Sequence, residues 1–521
     1  MIEKKAMSSL EHITPESLDR LPRLDQLVRQ GLYRGGLGEH VGTLRGTLGW
    51  QEMPHEIDLP DVPVTGLLPD WLSGTLLRTG PGKWDLGHQQ LNHWWDGLAL
   101  LQRFSFRGGR VSYRCQYLDS PAFVSQQRTG RLTWKAFATD PCSDLLRGQQ
   151  TEFVAEPGNA NINITRIGQA YVPIEEAPLA VTFDPETLRT TGWLDQVPDK
   201  DPVKGHHHVP AHPQRDFDRK TQYNVHTVLG AEPVYQVIAT DFATGAKSVL
   251  STVPAEAGNP GYRHHFSITD NYAVAMEYPL RLDSQALASG NGPFAAAYRW
   301  DPTAATKIFI TDRADGTLVK LLETNGFFAL HHTNAYEVGD AIIMDLAAYD
   351  NAEHIADYYL DRRRHGMPLS VGQLRRYTLP LGAGTQVHSE VVSSQQVELP
   401  TFDYRRYNTK PYRYVYAVGM RQDLPEVFYN QIVKADVQSR VSLSWFQDGA
   451  FPGEPNFVPT PDAVAEDDGV LLCLVLDTIQ QSSFLLVLNA KDLSEIARAQ
   501  LDTFVPYGLH GQFLGEHYST L

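Results

Sequence analysis

Four stretches of this chain follow one pattern: an apolar run, then an acidic or Gly-containing turn, then a second run. They are Leu179-Ala-Val-Thr-Phe-Asp-Pro-Glu-Thr-Leu188, Tyr235-Gln-Val-Ile-Ala-Thr-Asp-Phe-Ala-Thr-Gly245, Ile308-Phe-Ile-Thr-Asp-Arg-Ala-Asp-Gly316 and Phe484-Leu-Leu-Val-Leu-Asn-Ala-Lys-Asp-Leu493. Successive strand side chains point to opposite faces, so such runs bury one face, and Asp, Asn or Gly supplies the turn. Hairpins of one kind, recurring at intervals of roughly 50–70 residues, suggest blades around a common axis. The repeats are too diverged to count blades. A sandwich or two stacked barrels would give a similar local pattern.

The chain has 521 residues, 42% hydrophobic and 20% charged, enough for a large core. At roughly 150 residues per domain its length suggests about three, but radial repetition lets one propeller absorb the whole chain. One domain over residues 1–521 is therefore expected, with residues 1–40 as a helical extension. In that extension Thr14 can cap, Pro15 suits the first helical position, and Leu18, Leu21, Leu24, Leu27 and Val28 recur near helical spacing. A net charge of −16 argues against a nucleic-acid partner. Cys115, Cys142 and Cys473 lie far apart without a CxxC, as in a reducing compartment. The start has no apolar h-region, and no run approaches the roughly 18 apolar residues of a membrane span. The expectation is a cytosolic protein with peripheral membrane contact left open. Residues 283–296 lack strand signals and are expected as a loop over one face. In the segment Leu280–Phe294, Leu280, Leu282, Leu287 and Phe294 are candidates for an apolar surface patch, although a buried loop would read the same way. Nothing in the sequence sets an oligomeric state.

The chain has 19 histidines, and several stand in unusual contexts. They occur in Pro210-Ala-His-Pro213, Arg263-His-His-Phe266, Leu330-His-His-Thr-Asn-Ala-Tyr-Glu337 and Leu509-His-Gly511. Imidazole nitrogens are the commonest protein ligands for a mid-row transition metal, and ligands gathered from distant parts of a chain suit a closed scaffold converging on an axis. Strand alternation lets only one of His264 and His265, and one of His331 and His332, face that axis. His206, His207 and His208 read as a solvated loop beside Gly205 and Pro210. His208 and His212 are spaced i and i+4, but Pro210 and Pro213 argue against a helix. His93-Trp94-Trp95-Asp96-Gly97 reads as a strand end and Asp-Gly turn, with the tryptophans packed between blades. Glu466-Asp467-Asp468-Gly469 reads as a turn opening a buried strand. There is no HExxH, GxSxG or GxxxxGK[ST].

Gly74-Thr-Leu-Leu-Arg-Thr-Gly-Pro-Gly82, the run 93–104 with Asp96-Gly97 ahead of Arg103-Phe104, and the histidine contexts together resemble the carotenoid cleavage oxygenases. These are non-haem iron enzymes that split polyene or stilbene double bonds with O2. The resemblance runs from about residue 60 to the C-terminus. It implies an all-β, seven-bladed β-propeller whose top face is covered by helices and loops and carries an apolar tunnel. It also implies Fe(II) on the axis, bound by His212, His264, His331 and His510. Glu176, Glu398 and Glu454 would accept the remaining N–H of the imidazoles, which fixes the tautomer and raises basicity. The family often has His-Asp-Phe where this chain has His264-His265-Phe266, and the register of Phe266 and Ile268–Tyr272 still selects His264. No residue beyond the metal site is implied as catalytic. The implied reaction is addition of O2 across one alkene of a bound carotenoid or apocarotenoid to give two carbonyl products. Gly74–Pro185, including Asp140-Pro141-Cys142, looks closer to the animal-type carotene-cleaving and retinoid branch. Stilbene cleavage, retinoid isomerohydrolysis on the same iron, and a metal-bearing propeller that only binds a ligand are the alternatives.

Overall fold

In a computed structural model, residues 44–134, 136–139, 158–230, 232–255, 259–288 and 292–521 are described. The expected N-terminal helix over 14–30 lies outside them. Seven antiparallel sheets form the blades of a β-propeller, and a separate two-stranded hairpin, Leu280–Leu282 with Tyr298–Trp300, belongs to an insertion. The first blade runs from Asn163–Ile167 to Thr190–Asp195, the second from His206–His208 to Lys247–Pro254, and the third from Ser267–Ile268 to Leu318–Thr324. The fourth runs from Phe328–Val338 to His388–Gln396 and the fifth from Glu398–Thr401 to Ser442–Trp445.

The last two blades are shared between distant parts of the chain. In the sixth, Val64–Gly66 pairs with Glu495–Gln500, which sets Val64 opposite Ala499. In the seventh, Gly511–Leu514 pairs with Gly74–Lys83, which sets Thr75 opposite Leu514. The ring is thus fastened twice, each time by pairing strands from distant parts of the chain.

The repeated turn has a physical cause. Asp184 Oδ1 accepts from Thr187 N at 2.7 Å, Asp241 Oδ1 from Thr244 N at 2.8 Å and Asp312 Oδ1 from Ala314 N at 2.7 Å. Asp436 and Asp477 repeat the arrangement in later blades. The fifth residue of each turn is left-handed, as at Leu188, Gly245, Gly316, Arg440, Gln481 and Leu493. At Gly316 a Cβ would stand 1.9 Å from the Leu250 carbonyl oxygen, so there glycine is required by close approach as well as by φ.

Apolar clusters lie between neighbouring blades. Tyr223 and Val237 meet Phe266 and Phe309 between the second and third, Leu374 and Val392 meet Val415 and Val433 between the fourth and fifth, and Leu76 and Phe104 meet Leu472 and Leu485 between the seventh and sixth. A buried leucine there, such as Leu472, contributes about 2–5 kcal/mol over alanine. The largest cluster lies under the insertions. Residues 283–296 are not a plain loop: they include a short helix, Ser284–Ala288, and enter the 3-10 turn Phe294–Ala297. Leu280 and Leu282 are buried, so they form no surface patch, and Leu287 and Phe294 are half-buried against the same core. Among the described residues no helix is long and apolar enough to cross a membrane.

Candidate metal centre

Each blade sends one residue to the axis. From the first to the seventh these are Glu176, His212, His264, His331, Glu398, Glu454 and His510. His331 lies within the innermost strand of its blade, Phe328–Val338. His212, His264 and His510 stand just ahead of the inner strands Gln214–Asp216, Ser267–Ile268 and Gly511–Leu514. The four histidines are buried, and one ring nitrogen from each lies within 4.8 Å of the others.

The carboxylates decide which nitrogen faces the centre. Nδ1 of His264 is 2.5 Å from Glu176 Oε1, Nδ1 of His331 is 2.5 Å from Glu398 Oε2, and Nδ1 of His510 is 2.7 Å from Glu454 Oε1. A carboxylate can only accept, so each Nδ1 carries the proton and each Nε2 presents a lone pair. Burial alone would raise the Glu176 carboxyl, but His264 and His208 outweigh it and bring it down to about 2. Burial acts the same way on Glu398, where His331, His354 and the Leu399 amide bring it to about 2. Burial, together with the neighbouring imidazoles, pushes His212 well below its ordinary range. It also lowers His264 and His510, against the pull of their carboxylates. Neutral rings are the form that binds a cation.

His264, His331 and His510 therefore turn acceptor nitrogens toward the centre. Nε2 of His331 and Nε2 of His510 are 3.2 Å apart, each on the side of its ring away from the carboxylate that holds Nδ1–H. Nε2 of His212 and Nε2 of His264 are 3.0 Å apart. Two lone pairs at that distance repel unless a cation lies between them. Four converging nitrogen donors fit a mid-row divalent metal.

Further groups hold the carboxylates. Tyr262 OH donates to Glu176 Oε2 at 2.8 Å, with His208 Nε2 at 3.2 Å from the same oxygen. Tyr349 OH donates to Glu398 Oε1 at 2.8 Å, and Gly511 N to Glu454 Oε2 at 2.7 Å. The triple-histidine run is therefore no solvated loop. It is the strand His206–His208, with His207 and His208 buried. Three identical residues carry no alternation that could have signalled a strand.

Two other local expectations are corrected. His264 and His265 are not in a strand, which begins at Ser267, so pleat alternation does not separate them. His265 instead lies beside the cluster, its ring centroid 4.6 Å from that of His212. His332 does point away, bonding Ser267 Oγ at 2.8 Å and Tyr278 OH at 3.0 Å. His93–Gly97 forms a 3-10 turn, Trp94–Asp96, capped by the His93 ring. Trp95 is not packed between blades but lies parallel to the His264 ring, 5.9 Å between centroids and 7° between planes.

Residues 50–515 match the retinal pigment epithelial membrane protein family. The chain belongs to that family, the carotenoid oxygenases. It is 31% identical to the mitochondrial carotenoid-cleaving dioxygenase of Macaca fascicularis, over 87% of this chain and 91% of the relative. It is 30% identical to the beta,beta-carotene 15,15'-dioxygenase of Mus musculus, over 89% and 90%. Among solved structures, cobalt-substituted Synechocystis ACO superposes with a TM-score of 0.80 at 27% identity, covering 90% of this chain and 98% of that one.

Proposed function

We propose that this carotenoid oxygenase is a non-haem Fe(II) dioxygenase that cleaves one carbon–carbon double bond of a carotenoid or apocarotenoid into two carbonyl products. The observation that carries this reading is the facing pair of Nε2 atoms of His331 and His510, each ring held at Nδ1 by a buried carboxylate. His212, His264, His331 and His510 would hold the ion, and Glu176, Glu398 and Glu454 would fix three of the rings. Bound there, Fe(II) supplies the redox chemistry that activates O2 toward an alkene.

The chain's own part is placement. Trp95 lies on His264, Phe137 lies 4.9 Å from Trp95, and Phe294 lies 6.2 Å from Phe137, a run of rings suited to an apolar polyene. Such a wall holds the chosen bond beside the centre and excludes water. No side chain need act as a nucleophile. A reducing setting is supported by Cys115 and Cys473, both buried and free.

Oxygen uptake with β-carotene, run beside iron analysis, tests the reading. About one Fe(II) per chain, no turnover without O2, and one labelled oxygen in each carbonyl product after rapid trapping under labelled O2 are expected. Oxygen taken from water with the carbon chain intact would make it an isomerohydrolase. Cleavage of a hydroxylated stilbene alone would keep the reaction and change the substrate. Neither activity would leave a binding propeller.

A further inference from the structure

Three of the four imidazoles are held by carboxylates, and the fourth lies against another ring. Among the described residues no carboxylate oxygen lies within ion-pair reach of His212, whereas His264, His331 and His510 each have one. His212 instead lies against His265, centroids 4.6 Å apart and planes inclined by 29°. His265 occupies the place of Asp in the His-Asp-Phe pattern, so this contact follows from this chain's own departure from it.

The hydrogen bonds of His265 fix what it can do. The His332 backbone N–H donates to its Nδ1 at 3.0 Å. An amide N–H only donates, so Nδ1 holds the lone pair and the proton sits on Nε2. Nε2 is 2.7 Å from the side-chain amide of Gln214. The atom there is Gln214 Nε2, so an Nε2–H on His265 requires the amide to turn about and present its oxygen. The amide's other end is 3.2 Å from Tyr404 OH, which accepts from Arg215 N at 2.8 Å. Both ring nitrogens of His265 are thus committed, and neither is available to a metal. The ring is a plate pinned between the second, third and fourth blades.

We propose that His265 is a positioning residue that sets the ring plane of His212, and so the direction in which its Nε2 meets the centre. The inference rests on the four-imidazole metal site. His265 takes for His212 the part that a carboxylate takes for each of the other rings, but through a face rather than through Nδ1.

The test uses the full chain with Co(II) as probe. Affinity is measured by competition with a chelator, geometry by the visible ligand-field bands, and folding by thermal melting. His265→Ala is expected to weaken Co(II) binding by about 2- to 12-fold, the range a ring–ring contact carries, and to shift the bands. His265→Phe keeps the ring face without the hydrogen bonds and should return most of the affinity and the band positions. Unchanged affinity and bands in His265→Ala would overturn the proposal. So would equal losses in Ala and Phe, since the ring face would then not matter. A loss as large as that of His264→Ala would make His265 a ligand and overturn it too. Wild-type chain that takes up no Co(II) would overturn the metal site itself, and the proposal with it.

Discussion

The imidazole cluster has two walls of different make. On one side stand Trp95, Phe137, Tyr262, Phe294, Tyr298 and Tyr358, most of them on insertions outside the blade strands. On another lies a cavity of about 140 Å³ in which Thr165, Gln214, Thr333 and Asn456 alternate with Ile164, Phe402, Phe457 and Phe513, on or beside inner blade strands. The regular, repeated part of the molecule supplies the metal donors and a surface of mixed polar and apolar groups. The irregular part supplies the apolar surface. Inner strands are tied to their neighbours by ladder hydrogen bonds and can change little without breaking a blade, whereas insertions can vary while the ring stays closed. Metal binding and substrate choice should therefore separate under mutation.

The largest effect tests the ground common to both walls. His331→Ala removes one of the four donors and leaves Glu398 buried beside a vacancy. Metal content is expected to fall from about one per chain to a small residue and cleavage to drop below detection, with elemental analysis and product chromatography as the readouts. Full retention of metal would remove His331 from the site.

The next effect separates the walls. Trp95→Ala deletes a ring that is 8% exposed, a change that costs about 3–5 kcal/mol in a packed setting. A shifted polyene loses on the order of 10²-fold in kcat/KM. Metal content should stay near wild type. Metal loss equal to that of His264→Ala would merge the two walls into one structure.

How much of this was legible in the sequence follows the same division. The blade turns were readable because Asp184, Asp241 and Asp312 each make a local bond within three residues, which leaves a local signature. The seven-blade count was not readable from periodicity, because two blades are completed by strands from opposite ends of the chain, Val64–Gly66 and Gly511–Leu514. It came with the family resemblance. The family motifs singled out the four histidines and three glutamates that the fold brings together. They did not find His208, Tyr262 or Tyr349, whose contacts with the glutamates span 32 to 86 residues. Nor did they predict the place of His265, because pleat alternation was applied to a segment that is not a strand.

A smaller effect sharpens the account of the blade side. Glu398→Gln keeps the shape of the group but removes the charge that fixes Nδ1–H of His331. Metal affinity should weaken by roughly 10- to 100-fold, the usual range for such partners. Glu186→Gln is the control, an exposed carboxylate paired with Arg103 on the surface, where such pairs contribute about 0–1 kcal/mol. Equal effects from the two would take Glu398 out of the centre.

The smallest effect bears on whether the blade-side wall is wet. Thr333 lies in the inner strand Phe328–Val338, is 7% exposed, and lines the cavity beside His331 and His332. Its Oγ1 has no hydrogen-bond partner among the described residues. A buried hydroxyl with no partner at all would cost about 1–3 kcal/mol, and valine, which has nearly its shape, would relieve that cost. If the cavity holds water, the hydroxyl is satisfied there and valine loses that bond. Gln214, Thr401, Asn456 and Gln512 line the same cavity and offer a water its partners, so Thr333→Val should lower stability by about 0.5–1 kcal/mol in denaturant titration and leave Co(II) affinity unchanged. A gain in stability would make this wall dry, and the two sides of the metal would then differ in shape more than in solvent.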